Sequence, residues 1–229
     1  MSARLRVLIF ANGVFDDQVF SQDQLKDVDM VIAADGGAKH CARLHITPDI
    51  LIGDFDSLDA AELKTFEMAG VKIIRHSDRK DYSDLELALL HAKSSGASQV
   101  QILGALGARW DQTLANLLLP ASAQLRDLDI RILEHGQEIM LFHGGKHYEI
   151  HGASGDVVSL IPLDRNVQGV TTTGLEYPLK DEHLHFGATR GVSNVMTDSS
   201  FTVHIQEGLL LCVVMRHPAA SAQELKENA

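Results

Sequence analysis

The sequence predicts an α/β protein in two parts: a mostly parallel, Rossmann-like sheet domain followed by an antiparallel β-sandwich or jelly-roll domain. Three observations carry this. In the first part, short apolar runs alternate with segments whose apolar residues recur at three and four. After Glu134 the helical period disappears. From there β-branched stretches are separated by glycine-containing turns. The change sets expected boundaries at residues 1–134 and 135–217, with a polar, mobile tail over 218–229.

In the first part, Leu5–Ala11, Met30–Ala34, Ile50–Ile52, Val71–Arg75, Val100–Leu103 and Ile130–Leu133 read as strands. Ala60–Met68, Leu85–Lys93 and Gln112–Leu125 read as helices. Such alternation builds βαβ units, whose ligand sites lie beyond the carboxyl ends of parallel strands. In the second part Lys146–Ile150, Val157–Pro162, Val167–Thr173, Phe201–Gln206 and Leu209–Met215 read as strands. Val203–Ile205 and Leu209–Val214 are expected to form a hairpin around Glu207-Gly208.

Composition narrows the function. The chain of 229 residues is 45% hydrophobic and 22% charged, ordinary values for a globular protein. No apolar run approaches the roughly 20 residues that span a bilayer, so no membrane partner is expected. Met1 to Phe10 has no long apolar stretch, so a secretory leader is not expected. The two cysteines, Cys41 and Cys212, fall in different parts of the chain, which fits a reduced, cytoplasmic protein. A formal net charge of −11 argues against nucleic acid. A nucleotide is also anionic, so an acidic protein would hold one best through a divalent cation between carboxylates and phosphates.

Aspartates at strand ends supply the candidates. Ala34-Asp35-Gly36-Gly37 follows an apolar strand, and its glycines would let backbone approach a phosphate, although taken alone a plain turn is the better reading. In Gly53-Asp54-Phe55-Asp56-Ser57 the two carboxylates stand one residue apart and share a side if the strand persists. They repel unless a proton or cation intervenes, and Mg²⁺ suits such oxygens. The competing reading is a helix cap, with Ser57 or Asp59 capping the helix at Ala60. In Lys80-Asp81-Tyr82-Ser83-Asp84-Leu85-Glu86, Ser83 and Glu86 fit a capping box. Lys80 and Asp81 then need another reason, which a phosphate and its metal would supply. Gly104 to Asp111 sets Gly107, Arg109 and Asp111 on one strand-to-helix loop. Arg109 is a natural phosphate ligand, and Asp111 could cap the helix or orient it. Trp110 and Leu117–Leu119 read as core. His147 with His151, and His183 with His185, read as solvent-facing strand residues rather than metal ligands. No Gly-x-Gly-x-x-Gly follows the first strand, where only Ala11-Asn12-Gly13 stands, so a dehydrogenase is not indicated.

Together with Leu114-Ala115-Asn116-Leu117, Thr172 to Leu179 and Gly191-Val192-Ser193-Asn194, these segments resemble the thiamine pyrophosphokinase family, in the family's order. The resemblance implies ATP + thiamine → AMP + thiamine diphosphate, with Mg²⁺, in a homodimer with sites at the subunit interface. By it, Asp35, Asp54, Asp56 and Asp84 surround the metal and triphosphate, the metal being held by Asp54, Asp56 and Asp84. Lys80 and Arg109 touch nucleotide or phosphates, with Gly36, Gly37, Asp81, Ser83, Gly107 and Asp111 around them. Thr173, Tyr177, Ser193 and Asn194 would line the thiamine pocket. Two positions depart from the family's pattern: Gln112 stands where it often has histidine, and Tyr177 where it often has tryptophan. A pyrophosphokinase for another hydroxymethyl heterocycle, such as a pterin, would keep every aspartate. A non-catalytic binder of thiamine or nucleotide is the third reading.

Overall fold

The computed structural model describes residues 5–17, 20–77, 81–107 and 109–217. The chain divides into two compact units, residues 1–135 and 136–229.

The first unit has six strands: β1 Leu5–Phe10, β2 Met30–Ala34, β3 Ile50–Gly53, β4 Lys72–Arg75, β5 Ala97–Leu103 and β6 Asp129–Glu134. They lie side by side in the order β6-β5-β1-β2-β3-β4, each pairing parallel with its neighbour. The central strands are apolar on both faces, and Leu8, Ile9, Phe10, Ile32 and Leu51 are fully buried. That is the signature of a parallel sheet covered on each side. The covering helices are α1 Gly37–Arg43, α2 Ala60–Met68, α3 Asp84–Ser94 and α4 Trp110–Leu118. The expected helix from Gln112 to Leu125 stops early. Pro120 has no N–H to continue the ladder, and a 3-10 turn over Leu119–Ala121 follows α4. None of the helices described is long and apolar enough to cross a membrane.

The second unit is all-β: β7 Gln137–His143, β8 Lys146–His151, β9 Val157–Pro162, β10 Asn166–Thr173, β11 Glu182–His185, β12 Asn194–Val195, β13 Ser200–Ile205 and β14 Leu209–Met215. Strands β12-β9-β14-β7 are neighbours, and β11-β10-β13-β8 form a separate four-stranded sheet. Each strand alternates inward and outward residues, so Phe201, Val203 and Ile205 pack with Leu210, Cys212 and Val214 in one core. This corrects the expected hairpin. β13 pairs with β8 and β10, whereas β14 pairs with β7 and β9. The Gln206-Glu207-Gly208 link therefore carries the chain from one sheet to the other, Gly208 taking φ +98°. Both cysteines are buried and unpaired, and burial pushes the Cys41 thiol up to about 12.

One ionic network is buried beside β14. Asp156, 2% exposed, accepts N–H bonds from Ala153 and His217 and one from the Arg216 guanidinium at 3.2 Å. Arg216 also donates to Glu138 and to the carbonyl of His151. Burial alone would raise Asp156, but the two backbone N–H groups and Arg216 outweigh it and hold the carboxyl below its ordinary value. A depressed carboxyl stabilises the fold above the ordinary carboxylate pKa of about 4, and that contribution is lost as pH falls through the depressed value. Asp156→Asn is expected to lower the unfolding free energy at pH 7 by about 2 kcal/mol. In urea melts the gap between the two proteins should narrow below pH 4; equal stability at pH 7 would show the network to be idle.

Candidate active site

β1 and β5 are neighbours, but the chain departs from them to opposite sides, toward β2–β4 on one and β6 on the other. Such a reversal opens a crevice beyond the carboxyl ends of the strands. A cavity of about 500 Å³ lies there. Its wall takes Asn12 and Gly13 from the end of β1, Asp35 from β2, and Asp54 and Asp56 from β3. Ser83, Asp84, Leu85 and Glu86 enter from the start of α3. Ala105 and Gly107 come from the end of β5, and Gln112, Ala115, Asn116 and Leu119 close the far side.

Asp35, Asp54 and Asp56 bring one carboxylate oxygen each to within 4.8 Å of one another. Strand pairing causes this. The Asp35 N–H donates to the Ile52 carbonyl at 2.8 Å, so Asp35 sits beside Gly53. A Cβ on Gly53 would come 3.1 Å from that of Asp35. Asp35 is 5% exposed. Its Oδ2 accepts from Asn12 Nδ2 at 2.9 Å and from Ser57 Oγ at 2.8 Å. Its Oδ1 is buried with no protein partner. A buried carboxylate oxygen costs free energy unless something binds it. Together with two neighbouring carboxylates it suits a hard divalent cation.

Helix capping does not account for Asp54 and Asp56. Asp59 caps α2, accepting from the N–H groups of Ala61 and Glu62, and Glu62 closes the box. Ser57 is committed to Asp35. Phe55, between the two aspartates, has φ +65°, and Asp35 has φ +45°. Left-handed backbone at a non-glycine residue costs on the order of 1–3 kcal/mol, and such strain collects at functional sites. At α3, Ser83 Oγ accepts from the Glu86 N–H at 3.2 Å, which leaves the Asp84 side chain on the cavity wall.

The loop after β1 is tied down from behind. The Gly13 N–H donates to the Gly104 carbonyl, and the Val14 N–H to that of Leu106. The Gly13 carbonyl lies 3.0 Å from His40 Nε2, and Arg43 Nη2 lies 2.9 Å from His40 Nδ1. Arg43 also grips Asp17 at 2.8 Å through two bonds. Burial and the Arg43 charge push His40 below its ordinary value, so it acts as a neutral tether. Gly37 permits α1 to start against β1, since a Cβ there would lie 2.0 Å from the Phe10 carbonyl oxygen.

The other expected site residues divide. Ser83, Asp84 and Gly107 join the cavity wall. Gly36 and Gly37 are buried off it, packed on Asn12 and β1. Asp81 is exposed and off the wall, and Lys80 lies outside the described residues. Arg109 and Asp111 pair with each other on the surface, at 3.1 and 2.5 Å, so Asp111 orients Arg109 rather than capping α4. Trp110 and the leucines after it are not the core residues expected. Trp110 is 81%, Leu114 56% and Leu118 47% exposed, one stripe along α4. Leu117 and Leu119 are half-buried. The side of α4 turned inward is instead Thr113, which accepts from the Gly107 N–H, and Asn116, which donates to the Ala105 carbonyl. Asn12, Ser57, Glu86 and Asn116 were not among the expected site residues. Ser57 and Asn116 stood inside segments that carry the family resemblance, and Glu86 inside the expected capping box, but none of them had been given a site role.

In the second unit Tyr177 is 59% exposed. Asn194 accepts from the Tyr177 N–H at 3.0 Å and donates to its carbonyl at 2.7 Å. Its amide is therefore spent presenting the Tyr177 backbone. Ser193 has φ +60°, and its N–H donates to Ser159 Oγ. Thr173 bonds Thr202 at 2.7 Å on the exposed face of β10. The histidine pairs are exposed: His147 and His151 on β8, His183 and His185 on β11.

The family model of the thiamin pyrophosphokinase catalytic domain matches residues 21–132, and that of the thiamin pyrophosphokinase vitamin B1 binding domain matches residues 147–210. The chain belongs to the thiamin pyrophosphokinase family. The catalytic-domain match falls in the unit that carries the aspartate cavity, and the vitamin B1 match in the unit that carries Tyr177, Ser193 and Asn194. Thiamine pyrophosphokinase 1 of Arabidopsis thaliana is 30% identical over 186 residues, covering 77% of this chain and 69% of that protein. Thiamine pyrophosphokinase of Bacillus subtilis is 29% identical over 182 residues, covering 80% and 85%. The crystal structure of the Bacillus subtilis protein superposes with a TM-score of 0.81 at 26% identity, over 93% of this chain and all of that one (100%).

The bonds to Asp35 generate a test on this family member. Asn12→Ala removes one of the two donors to Asp35 Oδ2. Residues that orient metal-binding carboxylates typically contribute 10- to 100-fold to metal affinity or activity. Asn12→Ala should therefore raise the Mg²⁺ concentration needed for half-maximal turnover by roughly tenfold or more. An unaltered Mg²⁺ response would show that Asn12 does not orient the cluster.

Proposed function

We propose that the aspartate cavity of this family member binds ATP through a divalent cation and delivers its pyrophosphoryl group to thiamine. As a thiamin pyrophosphokinase family member, the chain is an ATP-dependent transferase that forms thiamine diphosphate and AMP. The observation that carries the site assignment is the group Asp35, Asp54 and Asp56, with the unpartnered buried Oδ1 of Asp35.

These three carboxylates would hold Mg²⁺. When bound, Mg²⁺ supplies charge neutralisation for the phosphate oxygens. The thiamine hydroxyl oxygen attacks the β-phosphorus of ATP. The bond from that phosphorus to the oxygen bridging the α- and β-phosphates breaks, and AMP leaves with the electron pair. Asp84 and Glu86 line the same wall outside the group of three, and in this reading one of them takes the hydroxyl proton. Arg109, held by Asp111 on the loop after β5, is by resemblance a side chain that adds positive charge to the phosphates. Lys80 has the same role by resemblance. Tyr177 offers an exposed ring face to a flat cationic heterocycle, with Thr173 and Ser193 added to the pocket by resemblance and Asn194 holding the Tyr177 backbone. The exposed stripe of Trp110, Leu114 and Leu118 supports a homodimer, because contiguous apolar patches on soluble monomers commonly mark interaction sites. A cytoplasmic location fits the reduced, buried cysteines.

One experiment tests this reading. With ATP, Mg²⁺ and thiamine the protein should release AMP and thiamine diphosphate, and hydroxymethylpterin should not replace thiamine. Asp54→Asn and Asp56→Asn should each lower turnover at least about 100-fold, and the active protein should run as a dimer by light scattering. Release of ADP, turnover of the pterin alone, or near-normal activity of both variants would contradict the assignment.

A further inference from the structure

The loop that carries Asp54 and Asp56 is held in a conformation its residues do not favour, and one side chain outside the cavity grips it there. Phe55 sits at φ +65°, with its ring 5% exposed in the core of the first unit. β3 and β4 pair Gly53 with Arg75, so the Arg75 side chain starts directly beside the loop. Its Nη1 donates to the Asp54 carbonyl at 2.9 Å. Its Cζ stands 4.8 Å from the centre of the Phe55 ring, a cation–π distance. Next along the chain, the His76 N–H donates to the Gly53 carbonyl at 2.9 Å.

We propose that Arg75 is a positioning residue for the metal-binding loop: it locks the Asp54–Phe55 peptide in the orientation that aims both carboxylates at Asp35. Left-handed φ at a bulky residue is relieved most simply by flipping the preceding peptide, which reverses its carbonyl. A flip at Asp54–Phe55 would take the Asp54 carbonyl off Arg75. It would also disturb the bond from the Asp56 N–H to Asp54 Oδ1, 3.2 Å long. Arg75 opposes it twice, through the hydrogen bond and by holding the ring over which it stacks. Arg75 is not part of the cavity wall, so it acts through the loop and not on the phosphates.

The inference rests on the reading of Asp35, Asp54 and Asp56 as a metal site, and the test separates the two. Mn²⁺ serves as the probe, its binding to the full-length protein followed by the loss of the free-ion electron paramagnetic resonance signal. Amide hydrogen exchange at Phe55, Asp56 and Ser57 is measured alongside. Wild type should bind Mn²⁺ saturably, and Asp54→Asn should abolish this. Arg75→Met, which keeps an unbranched side chain but no donor or charge, should weaken Mn²⁺ about tenfold and speed exchange at those amides. The KM for thiamine should stay unchanged. Arg75→Lys, which keeps the charge over the ring, should recover part of both effects, and it carries the test if Arg75→Met does not fold. Unchanged Mn²⁺ binding and exchange in both variants, or a rise confined to the KM for ATP, would overturn the role given to Arg75 and leave the metal site standing. Absence of saturable Mn²⁺ binding in the wild type would overturn the metal-site reading and this inference with it.

Discussion

Three carboxylates crowded at the end of two adjacent parallel strands are the constraint around which the first unit is organised. Two unit charges about 4 Å apart near a protein surface repel by about 4 kcal/mol. A whole domain is stable by only about 5–15 kcal/mol. Asp35, Asp54 and Asp56 nevertheless meet within 4.8 Å. The pairing of β2 with β3 fixes Asp35 beside Gly53, and a side chain at Gly53 would crowd it. Asn12 and Ser57 then hold one oxygen of Asp35, and its other oxygen is buried without a protein partner. The arrangement is costly without a cation and well suited to one.

Backbone strain is found at the same place. Asp35 and Phe55, both left-handed and neither glycine, flank the cluster on adjacent strand ends. The surrounding bonds oppose their relaxation: the ladder bond from Asp35 to Ile52, the box at Asp59 and Glu62, and Arg75 on the Asp54 carbonyl. On the other side of the reversal in strand order, the loops after β1 and β5 are bonded to each other and backed by His40. A site made this way needs little reorganisation when charge develops on a phosphate, which is where electrostatic catalysis gains most.

The architecture of the first unit was legible because its central strands are apolar on both faces, and β2 and β3 run directly into aspartates. Asp35, Asp54 and Asp56 stood out for the same reason. Asn12, Ser57 and Arg75 did not, because their roles come from which strands lie side by side, and the local sequence does not encode strand order. The hairpin at Glu207-Gly208 was misread because a sandwich often sends consecutive strands to opposite sheets, with the same turn residues. Trp110 and Leu118 were misread as core because an apolar residue in a helix does not itself say what covers it. The second unit's segments had meaning only through the family. Even there the structure sharpened the account, since Asn194 is committed to the Tyr177 backbone.

The central claim is that Asp35, Asp54 and Asp56 together hold the cation that carries ATP. Crystals of the protein grown with Mn²⁺ and a non-hydrolysable ATP analogue would locate the metal by its anomalous scattering. The expected peak is bonded to oxygens of these three carboxylates, Asp35 Oδ1 among them, with the analogue's phosphates completing its coordination. A peak elsewhere, with Asp35 Oδ1 still unpartnered and the phosphates away from β2 and β3, would contradict it.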